Sequence, residues 1–444
     1  MKNIKLAFGG LLLLVTALWL LADTLLPQPF TYFSFRSVFV QYSGLLAVAM
    51  MSVAMLLSIR PRWLERPCNG LDKMYRLHKW LGIGALVLAV LHWWWAQGTK
   101  WMVGWGWLSR PGRQTRTRGD LTQFEHWLRD QRELAESLGE WAFYLMVVLI
   151  AVALVKLIPY HWFRKTHRWI APVYLLLAYH SAVLAKPGYW SQPVGWLLAA
   201  LLSVGVVAAV LSLSGQIGRG SRVQGVIRSL TTYPGVNVVE GTVHLAKGWR
   251  GHLPGQFAFV TSNRREGAHP YTIASAWDDS SRQLTFIVKA LGDWTGHLSD
   301  RLTAGMTVTV EGPYGLFDFN DRCPRQIWVG AGIGITPFVA KMKHLARYPG
   351  TKVIDLFHVT RDYDQAAIDK LTADAEAAGV RLHLTVTPRD GHLTPEQIRE
   401  LVPEWRSASL WFCGPSDFGA TLRRDFIEQG LPGGRYHQEQ FELR

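Results

Sequence analysis

Residues 77–93 read LHKWLGIGALVLAVLHW, and residues 167–180 read HRWIAPVYLLLAYH. Each stretch is an apolar helical segment with a histidine near either end. His78 and His92 are 14 residues apart, and His167 and His180 are 13 apart. At about 1.5 Å of rise per residue each pair spans roughly 20 Å of helix. That separation puts one histidine of each pair near each face of an apolar layer about 30 Å thick. Ionisable side chains inside a membrane are costly and mark function, and four at matched spacing point to two metal-centred groups clamped between two helices. Imidazole is a usual axial ligand of haem iron. No C-x-x-C-H stretch for covalent attachment is present, so two b-type haems are the expectation, with His78 paired to His167 and His92 to His180. The bland alternative is a set of interfacial or hydrogen-bonded histidines.

The helical phase is uneven. At 100° per residue, 14 residues bring His92 back to within about 40° of His78, whereas 13 leave His180 roughly 140° from His167. Pro172 lies between the latter two, so a distortion there is expected to bring both to one side. His161 is a rival inner ligand, but it stands 19 residues from His180, too far for a matched level. Gly82, Gly84 and Ala85 would leave room for a porphyrin face or serve close helix packing.

Outward from the histidines, residues 1–215 are dominated by long apolar runs, and 216–444 read as an α/β protein. Six runs are candidate spans: Leu6–Ala22, Val38–Ile59, Trp80–Ala96, Trp141–Ile158, Trp169–Ala185 and Val194–Leu213. The first also fits a signal peptide, since Lys2 and Lys5 precede it, but no small-x-small cleavage site precedes Asp23. The short basic connections carrying Arg60, Arg62, Arg66, Lys73, Arg76 and Lys79, and then Arg164, Lys165 and Arg168, are expected on the cytoplasmic side. A multi-pass protein of the plasma (inner) membrane with a cytoplasmic second half follows. The long connection Gln97–Glu140 carries seven basic and six acidic residues. Within it Leu121–Leu138 reads as an amphipathic surface helix. Arg110, Arg113, Arg116 and Arg118 would bind lipid headgroups or steer an anionic acceptor.

The net charge of +14 reflects membrane-flanking Lys and Arg, and no nucleic-acid partner is read from it. Many of the 21 tryptophans fall near span ends, as an aromatic belt does. The three cysteines, Cys68, Cys323 and Cys413, are too few for a Cys-ligated iron–sulfur cluster.

In the second half, Val236–Val243, Gly255–Thr261, Gln283–Lys289 and Met306–Glu311 read as strands of a small antiparallel β-barrel. From Gln326 the pattern changes. Gln326–Val329, Val353–Val359, Arg381–Val386 and Leu410–Cys413 read as parallel strands, with helices near Pro337–Arg347, Gln365–Ala378 and Pro395–Leu401. Between the first strand and first helix lies Gly330-Ala331-Gly332-Ile333-Gly334-Ile335-Thr336-Pro337. Such glycines let backbone N–H groups approach a pyrophosphate at a helix N-terminus, and proline suits the helix start. The expected architecture is multidomain: a six-helix transmembrane bundle (1–215), an antiparallel β-barrel (216–322) and an α/β nucleotide-binding domain (323–444).

The order His269-Pro270-Tyr271-Thr272-Ile273-Ala274-Ser275, Gly292-Asp293-Trp294-Thr295, Gly312-Pro313-Tyr314-Gly315, the glycine turn and Cys413-Gly414-Pro415 resembles the ferredoxin-reductase-like flavoproteins. With the four membrane histidines, nearly the whole chain resembles the NADPH oxidase and ferric reductase superfamily. The resemblance implies an FAD, two b-type haems and NADPH, with NADH possible. It implies that Tyr271 packs on the flavin ring and that Thr272 hydrogen-bonds near its reactive nitrogen. His269 would stand where soluble reductases carry an arginine, with Pro270 and Ser275 in the same flavin-side motif. Trp294 and Thr295 would lie by the FAD phosphates. Gly330, Gly332, Gly334, Thr336 and Pro337 would hold the dinucleotide pyrophosphate, and Cys413, Gly414 and Pro415 would flank the nicotinamide. Phe441 is the nearest counterpart of the family's terminal aromatic over the flavin. Arg361, after the strand 353–359, suits a 2′-phosphate or is a solvated loop residue; Asp355 lies within that strand and is not read as a ribose ligand. Electrons would pass from cytoplasmic NADPH to an acceptor across the membrane: dioxygen first, otherwise a ferric chelate, a quinone or a periplasmic redox protein. No side chain is nominated as a catalytic acid or base.

Overall fold

The computed structural model describes residues 2–109, 123–155, 157–158, 160–263, 266–291 and 295–439. Trp294, Phe441, Arg110, Arg113, Arg116 and Arg118 lie outside the described residues. The chain divides into two compact units, Met1–Asn69 with Lys73–Ile217, and Gly70–Asp72 with Gly218–Arg444.

The first unit is helical: α1 (Lys2–Leu20), α2 (Tyr32–Ser58), α3 (Arg62–Cys68), α4 (Leu71–Gly104), α5 (Gln123–Asp130), α6 (Arg132–Leu154), α7 (Tyr160–His167), α8 (Ile170–Leu184) and α9 (Pro193–Leu213). Helix α2 starts at a capping box, in which Ser34 N–H donates to Thr31 Oγ1 at 3.1 Å and Thr31 N–H to Ser34 Oγ at 2.8 Å. Among the described residues, α1, α2, α4, α6 and α9 are long and apolar enough to cross a membrane. The expected sixth span is α8, whose 15 residues reach only about 22 Å.

Two expectations need correction. His167 and His180 do not share one bent helix. His167 ends α7, Arg168 and Trp169 turn, and a new helix begins at Ile170. Pro172 sits in the first turn of α8, where a missing N–H costs nothing, so the interruption precedes the proline. The surface helix expected over 121–138 also ends early, at Asp130. Its second half opens the spanning helix α6, because Leu134, Ala135 and Leu138 continue the apolar run that follows.

Small residues let these helices approach. Gly205 of α9 leaves room that the Tyr174 hydroxyl occupies, and Tyr174 also bonds Ser52 Oγ at 2.8 Å, joining α8, α9 and α2. Trp19, fully buried at the end of α1, donates Nε1–H to Tyr189 Oη at 3.0 Å, and Tyr189 and Lys186 both donate to the Asp23 carboxylate.

The second unit holds two sheets. β1 (Arg222–Tyr233), β2 (Val238–Leu245), β3 (Phe257–Thr261), β4 (His269–Thr272), β5 (Gln283–Lys289) and β6 (Thr307–Tyr314) form an antiparallel sheet in the order β4-β3-β6-β1-β2-β5. An Ile273–Phe286 bridge links the chain just after edge strand β4 to the other edge strand, β5. Alternate residues point inward, Val223, Ile227, Val243, Leu245, Leu284 and Val310 among them. β1 and β4 were not read from the sequence.

β7 (Arg325–Ala331), β8 (Val353–Thr360), β9 (Arg381–Val386), β10 (Ala408–Cys413) and β11 (Tyr436–Glu439) form a parallel sheet in the order β11-β10-β7-β8-β9. Trp328, Leu356 and Trp411 face one layer with Phe338 and Met342, while Ile327, Val329, Phe357 and Phe412 face another with Ile398, Leu422 and Phe426. Both faces are covered, so the strands read as continuous apolar runs. The chain steps outward from β7 to β9, then returns beside β7 as β10. The reversal between β7 and β10 is where open α/β sheets bind ligands, beyond the strands' carboxyl ends.

Candidate functional site

In the first unit the structure brings the histidines together in two pairs. The ring centroids of His78 and His167 are 6.0 Å apart with planes at 66°, and those of His92 and His180 are 6.2 Å apart at 83°. An imidazole nitrogen sits about 2 Å from a bound first-row metal, so two rings on opposite sides of one ion have centroids about 6 Å apart. The other nitrogens are tied back. His78 Nδ1 lies 2.9 Å from Ala54 O, His92 Nδ1 2.9 Å from Val40 O and His180 Nδ1 2.8 Å from Ala135 O. A carbonyl only accepts, so each Nδ1 carries the proton and each Nε2 keeps its lone pair for a metal. His167 Nδ1 is buried with no partner among the described residues.

The surroundings of the His92–His180 pair fit a haem. Gly44, Ala47, Ala85 and Ala89 line a cavity with His92 and His180, and Arg36, Lys100 and Arg132 line it too, suited to the carboxylates a haem carries. Sequence reasoning missed the two glycines that make this possible. A Cβ at Gly139 would collide with His180 Nδ1, and one at Gly44 would stand 3.0 Å from His92 Cε1. Their signal was a glycine in an apolar span within reach of a histidine level. Of the glycines that were nominated, Gly84 packs against Met50 and Phe8, and Gly82 faces open space.

In the second unit the glycine turn leaves β7 through a 3₁₀ turn at Gly332–Ile335 and enters the helix Thr336–Arg347 with Pro337 in its first turn. Gly332 has φ +56, which glycine adopts freely. A Cβ on Gly334 would strike Cys413 O, and one on Gly414 would stand 2.7 Å from Ala331 Cβ. The turn after β7 and Cys413-Gly414-Pro415 after β10 therefore lie side by side at the reversal. The Cys413 thiol is fully buried, and burial raises its pKa well above the ordinary thiol value. His358, on β8 and unread from the sequence, bonds Gly330 O through Nδ1 at 3.0 Å. Burial lowers its pKa to about 4 against the opposing carbonyl, so it is neutral at pH 7.

Four of the residues expected on the flavin side, His269, Pro270, Tyr271 and Thr272, form edge strand β4. Tyr271 pairs in register with Ala258, its ring stacks on His269 at 6.3 Å, and it meets Phe286 edge-on at 6.4 Å. His269 Nε2 is 3.6 Å from Glu266 Oε1. Thr272 is buried. Ser275 Oγ accepts from Thr285 N–H at 3.1 Å, and Ser275 O pairs with His252 Nε2 at 2.8 Å. Thr295 Oγ1 accepts from Leu291 N–H at 3.0 Å. Arg361 is exposed at the loop after β8.

Residues 43–178 match the family of the ferric reductase like transmembrane component, and residues 225–317 match an FAD-binding domain. The chain is 29% identical over 197 residues to the ferredoxin reductase component of a 3-ketosteroid-9-alpha-monooxygenase from Rhodococcus rhodochrous, covering 43% of this chain and 56% of that one. It is 28% identical over 226 residues to respiratory burst oxidase homolog protein E of Arabidopsis thaliana, covering 45% of this chain and 23% of that one. A solved Amycolatopsis cytochrome P450 reductase is 24% identical, with a TM-score of 0.43 over 50% of this chain and 69% of that one. The chain spans 56–58% of the length of the first curated relatives it matches.

Proposed function

The chain belongs to the ferric reductase and NADPH oxidase superfamily, and from that premise we propose that it carries electrons from cytoplasmic NADPH, through FAD and two b-type haems, to an acceptor on the opposite side of the membrane. The single observation that carries the proposal is the pair of opposed imidazole couples, 6.0 and 6.2 Å between centroids, on a chain that also holds an FAD-binding domain. When bound, these groups supply a hydride acceptor and single-electron relays. The chain supplies their position and order.

His78 and His167 would hold the cytoplasmic-side haem, and His92 and His180 the far-side haem. The proposed division is 1–215 for the haems, 216–322 for FAD and 323–444 for the nucleotide. Gly330, Gly332 and Gly334 keep the crevice between β7 and β10 open for a pyrophosphate at the helix that starts with Thr336 and Pro337. His269, Pro270, Tyr271, Thr272, Ser275, Trp294, Thr295 and Phe441 are assigned to the flavin. Cys413, Gly414 and Pro415 are assigned to the nicotinamide and Arg361 to the 2′-phosphate, with NADPH preferred over NADH. Hydride transfer requires no acid or base from the chain. The basic connections around Arg62–Lys79 and Arg164–Arg168 support a cytoplasmic second half in the plasma (inner) membrane.

Dioxygen, reduced by one electron to superoxide, is the acceptor proposed. The match of residues 43–178 to a ferric-reductase-like component keeps ferric chelates as the second reading, with a periplasmic redox protein behind it. The test is NADPH-driven reduction of cytochrome c by the purified protein in detergent, with and without superoxide dismutase. Strong inhibition by the dismutase is expected. Little inhibition, with the Soret band still reduced by NADPH, would transfer the proposal to ferric iron or a protein acceptor.

A further inference from the structure

The loop after β8 is anchored from both sides. Lys289, the last residue of β5, places Nζ 2.6 Å from Asp362 Oδ2. Gly235, in the turn between β1 and β2, donates its N–H to Asp364 Oδ2 at 3.0 Å, and a Cβ on Gly235 would strike Tyr363 O. Farther along, Lys370 Nζ lies 2.6 and 2.7 Å from the two oxygens of Glu240 on β2. Within the loop, Thr360 Oγ1 donates to Asp362 O at 2.7 Å, and Asp364 Oδ1 caps the next helix at Ala367 N–H, 3.1 Å away. Both loop carboxylates are therefore committed to the antiparallel sheet or to the helix cap. Arg361, immediately before Asp362, is exposed and makes no ion pair among the described residues.

We infer that Lys289 is a specificity-determining positioning residue for the nucleotide. By holding the Asp362 carboxylate it keeps that carboxylate from pairing with Arg361 and leaves the guanidinium for a 2′-phosphate. This rests on the assignment of Arg361 to NADPH made above. Chemistry makes the competition direct. A carboxylate and a phosphate offer a guanidinium the same bidentate acceptor geometry, so a freed Asp362 is an intramolecular rival of the substrate. It would also repel the dianionic 2′-phosphate. The unphosphorylated dinucleotide has no such group to lose, so NADH should be nearly indifferent to Lys289. The β5 lysine thus acts on nucleotide choice from the flavin-binding sheet, through the carboxylate it holds.

The experiment uses the full-length protein in detergent and NAD(P)H-driven reduction of a soluble dye, with flavin content as the folding control. Lys289→Met is expected to raise KM for NADPH about tenfold, the effect of losing one charge-assisted hydrogen bond, with KM for NADH, kcat and flavin content nearly unchanged. Adding Asp362→Asn to Lys289→Met removes the rival charge and should restore KM for NADPH. A Lys289→Met protein that loses flavin, or that weakens NADH and NADPH alike, assigns Lys289 a merely structural role and overturns the inference. So does a double variant that stays impaired. Arg361→Ala separates the premise from the inference. If Arg361→Ala leaves the NADPH to NADH ratio intact, the assignment of Arg361 itself fails. If Arg361→Ala shifts the ratio and Lys289→Met does not, only the inference about Lys289 fails.

Discussion

The two histidine pairs are alike in ring separation and unlike in support. In the His92–His180 pair, proposed as the outer one, both Nδ1 atoms are tied to backbone carbonyls, at Val40 and Ala135, and a glycine faces each ring, Gly44 against His92 and Gly139 against His180. In the His78–His167 pair, proposed as the inner one, only His78 is tied among the described residues, to Ala54 O, while His167 ends the eight-residue helix α7 just before the chain turns at Arg168 and Trp169. Both rings of the His92–His180 pair are held by carbonyls of neighbouring long helices, α2 and α6, whereas His167 sits on a helix end. A ligand whose tautomer and rotamer are already fixed needs no reordering when metal arrives. The His92–His180 site is the better organised of the two, and loss of either of its ligands should empty it.

The largest effect is expected from His180→Ala or His92→Ala. Either leaves one imidazole facing an empty side, so haem per chain should fall by half and electron delivery to the external acceptor should stop. NADPH-driven flavin bleaching should persist, because the second unit is untouched. Full external activity in either variant would dismiss the relay. Gly139→Val should approach the same loss without removing a ligand, since its side chain would occupy the place of His180 Nδ1 and break the bond to Ala135 O. Gly82→Ala is the matched control: nothing lies within 4 Å of its Cβ position, so haem content should not change. Gly44→Ala is milder. Its methyl would stand 3.0 Å from His92 Cε1, tight enough to displace the ring by a few tenths of an ångström, so haem should be retained with a shifted optical spectrum.

What the sequence made legible follows from what is periodic. The spacing of His78 and His92 along α4 set two levels, because rise per residue depends little on side chains, and His167 and His180 meet those levels across a helix break that the spacing did not show. The buried parallel strands from Gln326 to Cys413 stood out as apolar runs between helices, and the glycine turn declared itself by the strand before it and the proline after it. Less legible were features that depend on partners distant in sequence. β4 is four residues long and contains Pro270, so it carries no strand signal of its own; it is made by pairing with β3. The helix break at Arg168–Trp169 precedes Pro172, and neither residue is a helix breaker by type. Gly139 looked like any small residue in a span until His180 was packed against it. Carbonyl partners such as Val40 O and Ala135 O are invisible in principle, since every residue offers one. The network on Asp355, which binds Arg325 at 2.9 Å, Arg381 at 2.7 Å and His383 at 3.2 Å, accounts for its place inside a strand as structural.

The smallest effect expected is also the one that measures the contrast between the pairs most directly. An imidazole that donates Nδ1–H to a carbonyl is a more basic ligand and favours the more highly charged oxidation state of its metal. The outer pair has two such bonds and the inner pair has one among the described residues. With haems bound, this difference alone would lower the potential at the proposed outer pair below that at the inner. A hydrogen bond worth about 1 kcal/mol corresponds to roughly 40 mV for one electron, which sets its scale. Arg36, Lys100 and Arg132 beside the outer pair pull the other way, but Glu136 and Glu140 line the same cavity and offset part of that charge. A redox titration of the Soret band should resolve two closely spaced steps, and the His92→Ala protein, which keeps the inner site, identifies which step is which. An outer potential at or below the inner one means that ligand basicity outweighs the neighbouring cations. An outer potential well above it means the cations win, and Arg36→Gln should then lower it. Electron flow outward would in the first case be drawn by the acceptor rather than driven by a downhill step between the haems.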